Sequence, residues 1–216
     1  MIPLRALLAR QSAPVMTLLI IGLNVFFFLN EMARPMYLRD QFIEHYALIP
    51  DQLRLFTFIT SMFLHGGWLH LIGNMWFLWV FGSHIEDAMG SAKFLLFYLI
   101  SGVASAAVQF ATNMGSPVPT IGASGAIAGV MGAFLILYPR VRVVTLIFIV
   151  VFVTTIDIPA AFMLLYWFAI QLLSGVTSVS NVSQAQGIAW FAHVGGFVAG
   201  LLLVRVFLSN RRRYSY

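Results

Sequence analysis

Four polar residues stand at spacings that suit acyl-transfer chemistry. His70 and Asn74 are one helical turn apart and therefore share a helix face. Ser124 lies in the run Ile121-Gly122-Ala123-Ser124-Gly125-Ala126, and His193 in Ala192-His193-Val194-Gly195-Gly196. A serine hydroxyl is a poor nucleophile until a neighbouring base takes its proton, and histidine is the usual base. Acyl transfer also needs hydrogen-bond donors aimed at the oxyanion that develops, and Asn and His side chains can supply them. Ser124 with His193, facing His70 and Asn74, holds both parts.

The elements that must position them are membrane spans. The chain has 216 residues, 61% apolar and only 9% charged, against about 45–50% and about 25% in a soluble domain. Twelve Lys+Arg and seven Asp+Glu are too few to clothe a water-facing surface. Apolar runs long enough to cross a ~30 Å bilayer core recur, and they are continuous rather than alternating, so helices rather than a β-barrel are expected. The expected fold is all-α, a polytopic bundle of six spans in one domain. They run over about 14–30, 68–84, 94–112, 120–138, 159–174 and 188–208. Asp157 and Pro159 interrupt the long apolar stretch before the fifth span. The β-branched run 143–156 then reads as an interfacial or protein-covered connection, with a two-helix reading as the alternative.

Six spans put both termini on one side. With that side cytoplasmic, nine of the Lys and Arg residues lie inside and only Arg34, Arg39 and Arg54 lie outside, the positive-inside bias of a plasma or inner membrane protein. Spans two, four and six then all start outside. At ~1.5 Å per residue, His70 lies ~3 Å in, Ser124 ~6 Å, His193 ~8 Å and Asn74 ~9 Å. Four polar groups from three helices thus share one layer. Gly125 and Gly129, and likewise Gly196 and Gly200, form small-xxx-small pairs whose close backbone approach would bring Ser124 towards His193. Glu86, Asp87 and Asp157 fall at the opposite ends of their spans, and only a first-loop acid such as Glu44 or Asp51 could reach the layer. A Ser–His dyad is therefore expected rather than a triad.

Other chemistries fit less well. With no cysteine there is no thiolate nucleophile, zinc–thiolate site or iron–sulfur cluster. Metal binding by His65, His70 and His193 lacks a neighbouring carboxylate and the His-Glu-x-x-His spacing. An aspartyl mechanism needs two Asp residues on facing spans, and only Asp157 is available. The arginines flank spans as membrane anchors do, so the net charge of +5 does not point to nucleic acid. Arg211, Arg212 and Arg213 read as an anchor at anionic lipid, and the sequon Asn181-Val182-Ser183 as coincidence. No metal or cofactor is implied. The expected partners are lipid and transmembrane protein substrates.

The sets His65-Gly66-Gly67-Trp68-Leu69-His70-Leu71-Ile72-Gly73-Asn74-Met75, Gly122-Ala123-Ser124-Gly125 and His193-Val194-Gly195-Gly196 resemble the rhomboid family of intramembrane serine proteases in order, spacing and placement. The resemblance implies a six-helix core with Ser124 as nucleophile and His193 as general base. It also implies an oxyanion site of His70, Asn74 and the Ser124 backbone N–H. Glu86 resembles the family glutamate that ties the inner end of the second span to its neighbours. Two features depart from the pattern. Ala128 stands where many relatives place an aromatic residue against the imidazole, leaving the orientation of His193 to neighbours such as Trp190 or Phe197. The early first-loop Trp–Arg pair is absent, Arg54 being followed by Leu55 and Phe56.

Overall fold

In an apolar surrounding a backbone must satisfy its own polar groups, and the apolar runs of this chain do so as helices. The computed structural model describes residues 1–149, 152–180 and 189–208. Its helices are α1 (Val15–Met32), α2 (Met36–Tyr46), α3 (Thr57–Thr60), α4 (Trp68–Phe77), α5 (Ser83–Met89), α6 (Ser91–Thr112), α7 (Ser124–Leu137), α8 (Ala160–Ser180) and α9 (Trp190–Phe207). A π-turn, Leu78–Gly82, joins α4 to α5 into one continuous helical path. Among the described residues, four helices are long and apolar enough to cross a membrane: Val15–Met32, Ser91–Thr112, Ala160–Thr177 and Trp190–Phe207. The chain is a multi-pass membrane protein.

Two expected spans change their limits. The fourth is expected over 120–138, but α7 begins only at Ser124 and has 14 residues. Thr120 is held instead in a bridge with Leu48, donating to and accepting from its backbone. Gly122 follows at φ +121°, a left-handed value that a helix cannot contain. Every residue from Gly125 to Phe134 is buried, the mark of a helix enclosed by other helices. The fifth span was expected to stop near 174, but α8 runs on to Ser180. Its polar residues are absorbed locally: Thr177 Oγ1 donates back to the Leu173 carbonyl at 3.1 Å, and Gln171 is turned inward.

The all-helical expectation fails at one place. Strands β1 (Ile2–Ala6), β2 (Arg142–Ile149) and β3 (Phe152–Pro159) form an antiparallel sheet in the order β1-β2-β3. The described residues of the 143–156 segment are therefore paired antiparallel strands rather than a helix pair. Its density of Val, Ile and Thr favours extended backbone, and Val143 and Thr145 of β2 are fully buried.

Both ends of the described chain gather with this sheet at one end of the bundle. Glu86 accepts from the backbone N–H groups of Met16 (2.8 Å) and Thr17 (2.7 Å). It also accepts from the hydroxyls of Thr17 and Ser91, at 2.7 and 2.6 Å. It thus caps free N–H groups in the first turn of α1, where a carboxylate is favoured. Near the end of α9, the Leu208 carbonyl accepts from Lys93 Nζ at 3.5 Å. At the far end, Ala47, Ile49 and Leu64 pack with Phe42, Ile43, Tyr46 and Ile121 into a small core of their own. That core fixes the loop leading into α4.

Candidate active site

Glycine sets how closely α7 and α9 approach. A Cβ placed on Gly196 would overlap the Gly125 carbonyl oxygen, and one on Gly200 would overlap that of Gly129. The matching four-residue step means that the two helices run parallel and in register. A Cβ on Gly125 itself would strike the Ser105 hydroxyl, so α6 closes on the same seam from a third side. Ser105 Oγ donates to the Ala192 carbonyl at 2.7 Å, and Gln109 Oε1 accepts from the Ala192 N–H at 3.2 Å. The latter bond caps one of the free N–H groups in the first turn of α9. Gln109 Nε2 also reaches Thr120 Oγ1 at 3.4 Å, so one side chain on α6 ties down the approaches to both helices.

On this seam the first residue of α7 meets the first turn of α9. Ser124 Oγ lies 2.7 Å from His193 Nε2, in hydrogen-bond contact. The other ring nitrogen, Nδ1, lies 2.6 Å from Gln171 Oε1 on α8. If the serine donates to Nε2, the ring proton sits on Nδ1 and is donated to the glutamine oxygen. Rings flank the imidazole on two sides. Trp167 stands with its centroid at 5.8 Å, and Trp190 edge-on at 6.5 Å. Trp190 is one of the two neighbours to which the sequence leaves the orientation of His193. Phe197, the other candidate, stacks instead on Phe168 at 4.7 Å.

His70 and Asn74 come to the same place from α4. Both crowd Gly122: a Cβ there would lie 2.7 Å from His70 Nε2 and 3.5 Å from Asn74 Nδ2. The Asn74 side chain is buried, and its amide nitrogen, a donor, has no hydrogen-bond partner among the described residues. The Gly66 N–H points at His70 Nδ1 at 3.4 Å, which leaves Nδ1 the acceptor and Nε2 the protonated nitrogen facing the site. Ser124, first in its helix, has a backbone N–H outside the intrahelical ladder and at the positive end of the helix dipole. A cavity of about 20 Å³ beside Ser124, bordered by Ser61, Ser105, Thr120 and Gly122, has room for about one water.

All four expected residues are therefore brought together, and the glycine pairs lie on the seam between them. Glu44 and Asp51 are exposed in the first loop. His65 is fully buried with its ring edge-on to His70 at 5.1 Å. Burial, with His70 facing it, pushes its imidazole down to about 3 and keeps it neutral. Metal binding at His193 is disfavoured because both of its ring nitrogens are engaged. Sequence reasoning passed over Gln171 and Gln109. Each is an amide inside an apolar run, the same signal that singled out Asn74. Asn181, Val182 and Ser183 of the sequon, and Arg211, Arg212 and Arg213, lie outside the described residues.

The family model described as Rhomboid domain matches residues 52–210. Rhomboid-like protease 5 of Toxoplasma gondii is 32% identical over 152 residues, 68% of this chain and 16% of its own length. Rhomboid protease GluP of Bacillus subtilis is 43% identical over 77 residues, 36% of this chain and 15% of its own. RHOMBOID-like protein 1 of Arabidopsis thaliana is 34% identical over 179 residues, 79% of this chain and 39% of its own. The chain thus spans well under half the length of these curated relatives.

Proposed function

The chain belongs to the rhomboid family, and from that premise we propose that it is an intramembrane serine endopeptidase with Ser124 as nucleophile and His193 as general base. The observation that carries the reading is the 2.7 Å contact of Ser124 Oγ with His193 Nε2. His193 takes the hydroxyl proton as Oγ attacks the scissile carbonyl. The carbonyl oxygen, now negative, accepts from the Ser124 N–H, His70 Nε2–H and Asn74 Nδ2–H. Collapse breaks the C–N bond, and His193 gives its proton to the departing amine. Water then attacks the acyl-enzyme by the same sequence, with the proton again passing to His193 and on to Ser124 Oγ.

The substrates are transmembrane segments of other proteins, cut near their extracytoplasmic ends. With six spans and both termini cytoplasmic in a plasma or inner membrane, the reacting layer lies ~6–9 Å below the outer surface by residue rise. A peptide carbonyl in a regular helix is shielded by its own hydrogen bond, so Gly, Pro or other helix-weakening residues near that end favour cleavage. Small side chains suit the cleaved position. The test is fluorophosphonate labelling and cleavage of tagged transmembrane segments by the purified chain, with Ser124→Ala and His193→Ala beside it. Labelling and cleavage should vanish in both variants. The double variant should be no worse than either single, because the two residues act as one unit. Cleavage retained by Ser124→Ala, or cuts mapped to the cytoplasmic end, would overturn the assignment.

A further inference from the structure

Resting on the reading of Ser124 and His193 as nucleophile and base, we propose that Gln171 is the positioning residue of that base. Its amide oxygen holds His193 in the one tautomer that leaves Nε2 free to receive the Ser124 proton.

The placement of Gln171 is specific. Ala160, Met163 and Leu164 are the buried apolar residues of α8, and Gln171 lies along the same inward face with Trp167 one turn before it. Elsewhere the helix exposes Phe162, Leu165, Leu173 and Val176. An uncharged amide removed from water is costly unless it is hydrogen-bonded, and this one is 7% exposed with its oxygen 2.6 Å from His193 Nδ1. A neutral imidazole carries one N–H. With the proton on Nε2 it would point a donor at Ser124 Oγ and could not act as base. An acceptor at Nδ1 removes that competing form.

The flanking rings cooperate. Trp167 and Trp190 restrict rotation of the imidazole from two sides. Gln171 also orients without charge. The helices α4, α6, α7, α8 and α9 carry no carboxylate, and among the described residues the titratable group that faces His193 is His70. The orienting group of a Ser–His–Asp triad does two things, fixing the tautomer and stabilising the imidazolium, whereas an amide supplies chiefly the first.

The test uses the full chain in detergent with a fluorogenic transmembrane reporter. Losing the correct tautomer in a triad lowers turnover by about 10⁴, and for a neutral orienting group we expect a loss of roughly 10–100-fold in Gln171→Met with little change in KM. Gln171→Glu keeps an acceptor and adds charge. It should recover turnover relative to Gln171→Met, and the acid limb of its pH–rate profile should move up by about 1 unit or more. Nitrogen-15 NMR of histidine-labelled protein, assigned against His193→Ala, should find the Nδ1–H tautomer in the wild type and its loss in Gln171→Met. Unchanged turnover in Gln171→Met, an acid limb in Gln171→Glu coincident with the wild type, or an Nε2–H tautomer in the wild type would each overturn the positioning role. Absence of Ser124-dependent cleavage by the wild type would instead defeat the proteolytic reading. The NMR spectrum of the wild type still decides the hydrogen bond in that case, and also if neither variant folds.

Discussion

Two surfaces meet at His193 and are built by opposite means. Along α7 and α9 the helices touch through backbone, with glycine where any side chain would collide with a carbonyl oxygen. Along α8 contact is made through large side chains, Trp167 and Phe168 against the rings of His193 and Phe197, with Gln171 reaching the imidazole. Backbone cannot yield, so the first seam sets the distance from Ser124 to His193. Side chains can turn, so the second sets how the ring is oriented and where its proton sits. Distance and tautomer are separate requirements of general-base chemistry, and the fold assigns them to separate helices.

The hardest way to break this division is to put a methyl group on the glycine seam. In Gly196→Ala or Gly200→Ala the new carbon meets a carbonyl oxygen of α7, so the two helices must part. Overpacking of a close interior typically costs 1–3 kcal/mol, and against unyielding backbone we expect about 3 kcal/mol or more. Thermal unfolding in detergent should show a large fall for each. Proteolysis should fall as well, even where the protein remains folded. An unchanged melting temperature would mean that the seam tolerates separation and that the distance is set elsewhere.

The next effect separates chemistry from stability. Asn74 Nδ2 has no partner among the described residues, so Asn74→Ala removes no hydrogen bond from that nitrogen to them. Loss of one oxyanion donor lowers turnover by about 10²–10³. We expect a loss of that order in kcat with KM and melting temperature little changed. His70 Nε2–H can cover part of the deficit, so His70→Ala/Asn74→Ala is the sharper comparison. An unchanged rate in the double variant would remove the oxyanion assignment.

Which parts were legible in the sequence follows the same line. Ser124, His193, His70 and Asn74 could be grouped because span order and a constant rise per residue put them at one depth, and depth along a helix is a one-dimensional quantity. Gly196 and Gly200 could be paired with Gly125 and Gly129 because spacing by four marks one helix face. The start of α7 was misplaced, because the Thr120–Leu48 bridge that keeps residues 120–123 out of the helix joins segments far apart in the chain. The sheet was missed because β1, with its Pro3 and Arg5, reads as a strand only beside β2. Gln171 was visible as a polar residue in an apolar run, but its rotation about α8 depends on how that helix packs, which spacing alone does not give.

The smallest effect uses the same substitution with the opposite expected sign. Gly22 lies in α1 on an exposed face, and a Cβ there meets nothing within 4 Å. Its φ is not among the positive values, so alanine fits the helical backbone without strain. Glycine within a helix is less favourable than alanine because it has more freedom to lose on folding, by roughly 0.5–1 kcal/mol. Gly22→Ala should therefore raise the melting temperature slightly and leave turnover and the His193 tautomer as they were. Placed beside Gly200→Ala, it asks whether glycine acts here through space or through flexibility. Loss of activity in Gly22→Ala as great as in Gly200→Ala would show that the protein depends on flexible helices in general. A small gain in one and a large loss in the other would locate the requirement in the touching backbones of α7 and α9.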